Sequence, residues 1–206
     1  MMNAPSITLL IPCFNASGQL PRLLEAAHNQ TVPFAEIICY DDGSSDDTPD
    51  VAARWGARVI RGGTNRGVAV ARSRLVEAAR TQWVHFHDAD DLMATNFVEV
   101  MSTHAAQVQL QASQNTVLLC GMTSIHTEEY IQKQRAKGAY KDSEPKAQTF
   151  CELNETDDAI SFLLQNFVHL NTALFPTEVL RAVGGFCPYL RISEDVDMMV
   201  RLAAHK

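Results

Sequence analysis

The chain has 206 residues, 46% of them hydrophobic and 20% charged, which is enough for one domain with a sizeable core. A formal net charge of -7 argues against a nucleic-acid binder working through a basic face, so an anionic ligand would need a cation to mediate its binding. No apolar run approaches the roughly 20 residues that span a bilayer, and Met1-Met2-Asn3-Ala4-Pro5 lacks the layout of a signal peptide, so the chain reads as soluble and cytoplasmic, with membrane contact at most peripheral.

Ile7 to Cys13 is a nearly continuous apolar run, the pattern of a strand covered on both faces. A helix follows, with Leu20, Leu23, Leu24 and Ala27 on one side and Ser17 as its cap, and Pro33 closes the unit. Glu36 to Tyr40 reads as a second strand that delivers Asp41-Asp42-Gly43-Ser44. Thr48 then caps a helix with Pro49 in its first turn. Ala57 to Arg61 is a third strand, and after the loop from Gly62 to Gly67 a helix runs to about Arg80 with Val68, Ala71, Leu75 and Ala79 inward. Trp83 to His87 is a fourth strand, ending in Asp88-Ala89-Asp90-Asp91.

Thr95 begins an amphipathic helix through Phe97, Val98, Met101, Ala105 and Val108, followed by a strand near Val117 to Cys120. From Thr123 to Thr149 the sequence is polar and lysine-bearing, an excursion within one domain covering residues 1–206, with a short helix near Glu128 to Lys137. A helix near Asp157 to Asn166, a strand from Leu170 to Phe175, a helix from Thr177 to Val183 and a last helix starting at Ser193 complete the pass. That last helix is expected to face inward through Val196, Met199, Val200 and Ala203. The five cysteines form no CxxC pair and read as buried, reduced thiols.

Alternating strands and helices imply βαβ units and a mostly parallel sheet, whose ligands bind where the strands end. Both aspartate clusters fall on that edge. At the first, two readings fit Asp41 and Asp42: a carboxylate accepting from the imide N–H of a uracil-type base, or an Asx cluster that stabilises the turn. At the second, Asp88 and Asp90 are two carboxylates one residue apart beside an apolar strand, a hard-oxygen set suited to Mg²⁺ or Mn²⁺. Glu194 and Asp195 sit at a helix start, which favours ionised carboxylates and also simply suits helix-start residues. His85, His87 and His169 read as strand or core histidines, with His87 and His169 also placed to line a donor pocket.

Together, Ile11-Pro12-Cys13-Phe14-Asn15, Asp41 to Thr48, Asn65-Arg66-Gly67 with Ala71-Arg72, Asp88 to Asp91, Gly184-Gly185-Phe186 and Glu194-Asp195 resemble glycosyltransferase family 2, from about residue 7 to 202. The resemblance implies a GT-A fold, a Rossmann-like α/β domain with a mixed, mostly parallel sheet flanked by helices. It implies inverting transfer of a sugar from a nucleotide-diphosphate sugar, a UDP-sugar by the uracil reading, to an acceptor hydroxyl on a saccharide, a lipid-linked acceptor or a protein. Asp195 would be the general base. Asp90 would be the direct ligand of Mn²⁺ or Mg²⁺, with Asp88 a ribose or water-mediated partner, and Asp91 would assist or face solvent. Pro12, Asn15, Asp41, Asp42, Arg66, Arg72 and Asp88 would line the nucleotide site, Arg66 being equally suited to solvent. Ser73 stands where family members usually carry asparagine after Ala-Arg. Relatives usually continue beyond a position equivalent to Lys206, so a truncated domain is implied. Two other functions fit parts of the pattern: a sugar-phosphate nucleotidyltransferase, although no early glycine-rich basic segment follows the first strand, and a non-catalytic nucleotide-sugar-binding fragment.

Overall fold

The computed structural model describes residues 5–110, 117–120 and 168–205. The polar segment 123–149 and the helices expected near 128–137 and 157–166 lie outside them. Among the described residues six strands form one sheet in the order β3-β2-β1-β4-β6-β5: β1 (Ile7–Cys13), β2 (Glu36–Asp41), β3 (Arg58–Arg61), β4 (Trp83–Phe86), β5 (Leu118–Leu119) and β6 (Ala173–Pro176). The first four are mutually parallel, while β6 runs antiparallel to both β4 and β5. The sheet is therefore mixed and mostly parallel, as the sequence pattern implies.

The apolar run of β1 is explained by burial on both sides. Ile7, Leu9, Ile11 and Cys13 join one core with α1 (Leu20–His28), α2 (Thr48–Arg54) and α4 (Phe97–Leu110). Leu10 points the other way, into a second core with α3 (Val68–Ala78), α5 (Thr177–Ala182) and α6 (Glu194–Ala204). Removing each such side chain from water contributes about 1.5–3 kcal/mol. Cys13, Cys39, Cys120 and Cys187 are free thiols.

Several local expectations need correction. Ser17 and Thr48 do not cap α1 and α2; the residues before these helices are Gln19 and Asp47, neither with a side-chain cap. Their polar atoms are used between loops instead: Thr48 Oγ1 accepts from Ala16 N at 2.7 Å, and Asp46 accepts from Ser17 N at 3.1 Å and from Thr48 N at 3.0 Å. The expected strand from Leu170 begins as a 3₁₀ turn (Leu170–Thr172), and only Ala173 onward pairs in the sheet. In α6 the inner face is Glu194, Met198, Met199 and Leu202, while Val196 is 45% exposed. The helix is rotated because Glu194, a carboxylate, is drawn inward by a buried arginine.

Topology decides what meets at the functional edge. β1, β2 and β4 all end there, with Cys13 beside Asp41 in register. Because β6 is antiparallel to β4, its start lies where β4 finishes, with His85 beside Leu174. The turn before β6, carrying His169 and Asn171, is thereby brought over the Asp88 loop.

Candidate functional site

At the end of β2, Asp41 and Asp42 are buried, 5% and 3% exposed. Asp41 Oδ1 accepts from Ser44 N at 3.2 Å, closing a turn through Gly43, whose φ of +79° is left-handed and whose added Cβ would lie 2.9 Å from the Thr64 backbone. Asp42 reaches across to the β3–α3 loop, where its carboxylate accepts from Arg66 N at 3.0 Å and Gly67 N at 2.7 Å. The turn-stabilising reading of this cluster thus describes what both carboxylates do within the chain. Asn15, at φ 49°, is stitched to the same turn: its N–H donates to Ser44 Oγ at 2.9 Å and its Oδ1 accepts from Ser45 N at 2.9 Å. Pro12 is half-buried in β1 opposite Tyr40. Arg66 is exposed, and its guanidinium makes no ion pair among the described residues. Asp46 is held to about 2: partial burial pushes its carboxyl up, and hydrogen bonds from Thr48 and Ser17 more than reverse this.

The second cluster is organised by two distant segments. Asn171 is 9% exposed; its Oδ1 accepts from Asp88 N at 3.3 Å, and its amide NH₂ donates to the Asp91 carboxylate. One ligand atom from each of Asp88, Asp91 and His169 lies within 4.8 Å of the others. Asp90 is exposed and is not one of these three. The Asp91 carboxyl is shifted upward, first by burial, then by the charges of Asp90 and Asp88.

Arg72 links this loop to α6. It is 6% exposed, with Nη2 2.8 Å from Asp88 Oδ1 and Nη1 2.6 Å from Glu194 Oε1, and its guanidinium lies 5.8 Å from the Phe186 ring centre. The arginine expected at the nucleotide is therefore engaged by two internal carboxylates. Because Glu194 is anchored, the start of α6 is fixed beside the Asp88 loop, and Asp195 follows it directly. Ser193 takes a left-handed φ of 61° and Asp195 Oδ1 accepts from Val196 N at 2.8 Å, so Asp195 is half-buried while Glu194 turns inward.

Asp88, Asp195 by way of Glu194, and the two loops held by Asp42 thus share the carboxyl edge of the sheet. The sequence does not single out Asn171, nor Glu194 as an anchor: neither has a local signal, since their partners are 83 and 122 residues away.

The family model described as glycosyl transferase family 2 matches residues 8–160, well over half of the chain. The chain belongs to glycosyltransferase family 2. This family-2 chain is 36% identical over 95 residues to a PGL/p-HBAD biosynthesis glycosyltransferase of Mycobacterium tuberculosis, covering 44% of this chain and 37% of that one. It is 32% identical over 120 residues to the uncharacterized glycosyltransferase YibD of Escherichia coli, covering 55% and 35%. The chain thus spans about a third of the length of the curated relatives it matches. Among solved structures, Staphylococcus aureus TarS (residues 1–349, in complex with UDP-GlcNAc) superposes with a TM-score of 0.72 at 20% identity, over 96% of this chain and 53% of that one. The mannosyltransferase PcManGT of Pyrobaculum calidifontis, in complex with GDP-Man and Mn²⁺, gives 0.60 at 18% identity, over 91% and 49%. These likenesses establish the GT-A fold.

Proposed function

We propose that this family-2 chain transfers a sugar from a nucleotide-diphosphate sugar, a UDP-sugar, to an acceptor hydroxyl with inversion. The observation that carries the reading is the buried Asp88–Arg72–Glu194 bridge, which joins the Asp88-Ala89-Asp90 segment, the DxD loop, to the helix start bearing Asp195. That link supports a shared role for the Asp88 loop, read as diphosphate-binding, and Asp195, read as acceptor-activating. TarS with UDP-GlcNAc and PcManGT with GDP-Man support the donor class through their shared fold.

The carboxylates fit a divalent cation. Asp88, Asp90 and Asp91 share one turn, the Asp91 carboxyl being shifted upward first by burial and then by the charges of Asp90 and Asp88, and Asp88, Asp91 and His169 offer two carboxylates and an imidazole close together. Hard oxygens with one nitrogen suit Mn²⁺, and also Mg²⁺ with more water in its shell. When bound, such an ion neutralises charge building on the departing diphosphate. Asp88, Asp91 and His169 would hold it, and Asp90, exposed on the same turn, would serve through water.

The rest falls to the chain's own residues. Asp42 braces the Arg66–Gly67 loop and keeps lone pairs for the imide N–H of uracil, with Asp41, Asn15 and Pro12 shaping the base pocket around it. Arg66, exposed and without an ion pair among the described residues, is available to phosphate oxygens. Arg72 acts on the nucleotide only by orienting Asp88. Asp195 takes the proton from the acceptor hydroxyl as the sugar–phosphate bond loosens, late in the transfer.

Calorimetric titration of the purified protein with UDP and with GDP, each with and without Mn²⁺, tests the donor assignment. UDP binding that requires Mn²⁺ is expected, and preference for GDP or no metal dependence would refute it. Replacing Asp195→Asn should lower transfer at least about 100-fold with UDP affinity unchanged; full activity in that variant would remove Asp195 from the mechanism. Release of pyrophosphate from a nucleoside triphosphate and a sugar phosphate would instead mark a nucleotidyltransferase.

A further inference from the structure

Beneath the DxD loop two histidines form a buried relay that the transfer reaction, as described, does not use. His85 is 0% and His87 3% exposed, and their rings are 5.3 Å apart. His85 Nδ1 lies 2.9 Å from the carbonyl oxygen of Ala173, and His85 Nε2 lies 3.2 Å from His87 Nδ1.

The hydrogen bonds determine where the protons sit. A carbonyl only accepts, so His85 carries its proton on Nδ1 and donates to Ala173. Neutral His85 then has a bare Nε2, which accepts from Nδ1–H of His87, and neutral His87 is left with a bare lone pair on Nε2. Both rings are buried, and burial favours the neutral forms. That last nitrogen is buried with no hydrogen-bonding partner among the described residues. The Leu92 carbonyl lies near the ring but makes no hydrogen bond of proper geometry, and as a second acceptor it cannot satisfy a lone pair. The charged and titratable groups whose fields reach the His87 ring include His85, Asp88, Asp90 and His169, of which Asp88 and His169 belong to the candidate cation site.

A buried nitrogen with a free lone pair is costly unless a donor meets it. The sidedness of the relay matters too: Ala173, at its far end, opens β6, so the sheet itself fixes the direction in which His87 offers its lone pair. His87 is not one of the three residues whose ligand atoms gather there, Asp88, Asp91 and His169, but it directly precedes Asp88 in the chain.

We propose that His87 is a positioning residue of the cation site, its Nε2 accepting a hydrogen bond from a water coordinated to the ion that Asp88, Asp91 and His169 gather. This rests on the metal-dependent reading given above. The His85–His87 relay then does what outer partners of metal sites do: it orients one coordinated water and narrows the geometries the ion can adopt.

The test uses Mn²⁺ alone, titrated into the purified protein and followed by the loss of the free-ion electron paramagnetic resonance signal. His87→Leu, which keeps bulk but removes the acceptor, should weaken Mn²⁺ binding about 10–100-fold. His87→Gln, whose amide oxygen can accept from the same water, should recover part of that loss, a rescue that a purely space-filling role would not produce. Nitrogen-15 shifts of the unsubstituted protein without metal should show His87 with Nε2 unprotonated. Wild-type Mn²⁺ affinity in His87→Leu, or a proton on Nε2, would overturn the assignment of His87 while leaving the metal site standing. Failure of the unsubstituted protein to bind Mn²⁺ would overturn the metal-dependent reading and this inference with it. If the leucine variant does not fold, the glutamine variant and the nitrogen-15 shifts decide.

Discussion

Replacing Arg72→Met removes the guanidinium that joins the DxD loop to α6 while keeping a long, unbranched side chain in its place. It strands two carboxylates: the side chain of Glu194 is only 10% exposed and that of Asp88 29%. Removing one member of a buried ion pair costs about 3–5 kcal/mol, because the remaining charge keeps its desolvation without its partner. The Asp88 share is discounted, since its side chain is closer to water, which places the expected loss near the lower end, about 3 kcal/mol. In a domain of this size about 1 kcal/mol moves the melting temperature about 2–4 °C, so a drop of roughly 6–12 °C is expected. Urea denaturation followed by circular dichroism measures the loss directly from the midpoint and slope. The double variant Arg72→Met with Glu194→Leu should recover more than half of it, because the stranded carboxylate is gone and an apolar side chain fills its place. Costs that simply add across the double-mutant cycle, or a single variant within about 1 kcal/mol of the unsubstituted protein, would refute the bridge as the tie between the two halves of the site.

Other consequences are independent of that bridge. His85 and His87 are held neutral by burial, at about 3 and about 4, below the ordinary histidine value, so the unfolded chain binds more protons than the folded one between those values and about 6.5. Stability should therefore fall as pH drops below about 6.5, by up to about 1.4 kcal/mol per pH unit for each ring. A His85→Phe variant should lose about half of that slope in a melting series from pH 7 to pH 4.5, and an unchanged slope would show that the rings are not the cause. Gly43→Ala forces a side chain into a left-handed position and against the Thr64 backbone at 2.9 Å, where neither partner can rotate away. It should cost about 1–3 kcal/mol and weaken UDP binding by loosening the turn that presents Asp42, read by denaturation and calorimetry together. Leu10→Ala, in the fully buried centre of β1, should cost about 2–5 kcal/mol in chemical denaturation with no specific effect on metal affinity in the fraction that stays folded.

Much of the architecture is legible locally. The continuous apolar run of Ile7 to Cys13, the alternation of short strands with amphipathic helices, and aspartates following the second and fourth strands all derive from side-chain periodicity within a dozen residues, and the structure repeats them almost residue for residue. Where local reading goes astray, a polar side chain has found a distant partner in preference to a near one. Ser17 and Thr48 look like helix caps, yet Thr48 is used to hold Ala16 and Asp46, joining the first two loops. Glu194 looks like an exposed helix-start acid, yet it is drawn to Arg72 and turns α6 so that Val196 faces outward.

What the sequence alone determined is therefore the order of elements, the mostly parallel sheet and the edge on which its acids lie, because these depend on burial patterns short enough to be read along the chain. Only the tertiary structure decided which acids work together. The antiparallel return of β6 brings Asn171 and His169 onto Asp91 and Asp88, and Arg72 couples Asp88 to Glu194 across 122 residues. Those pairings follow from satisfying buried charges and lone pairs among segments far apart in the chain, and no periodicity records which distant partner will do so.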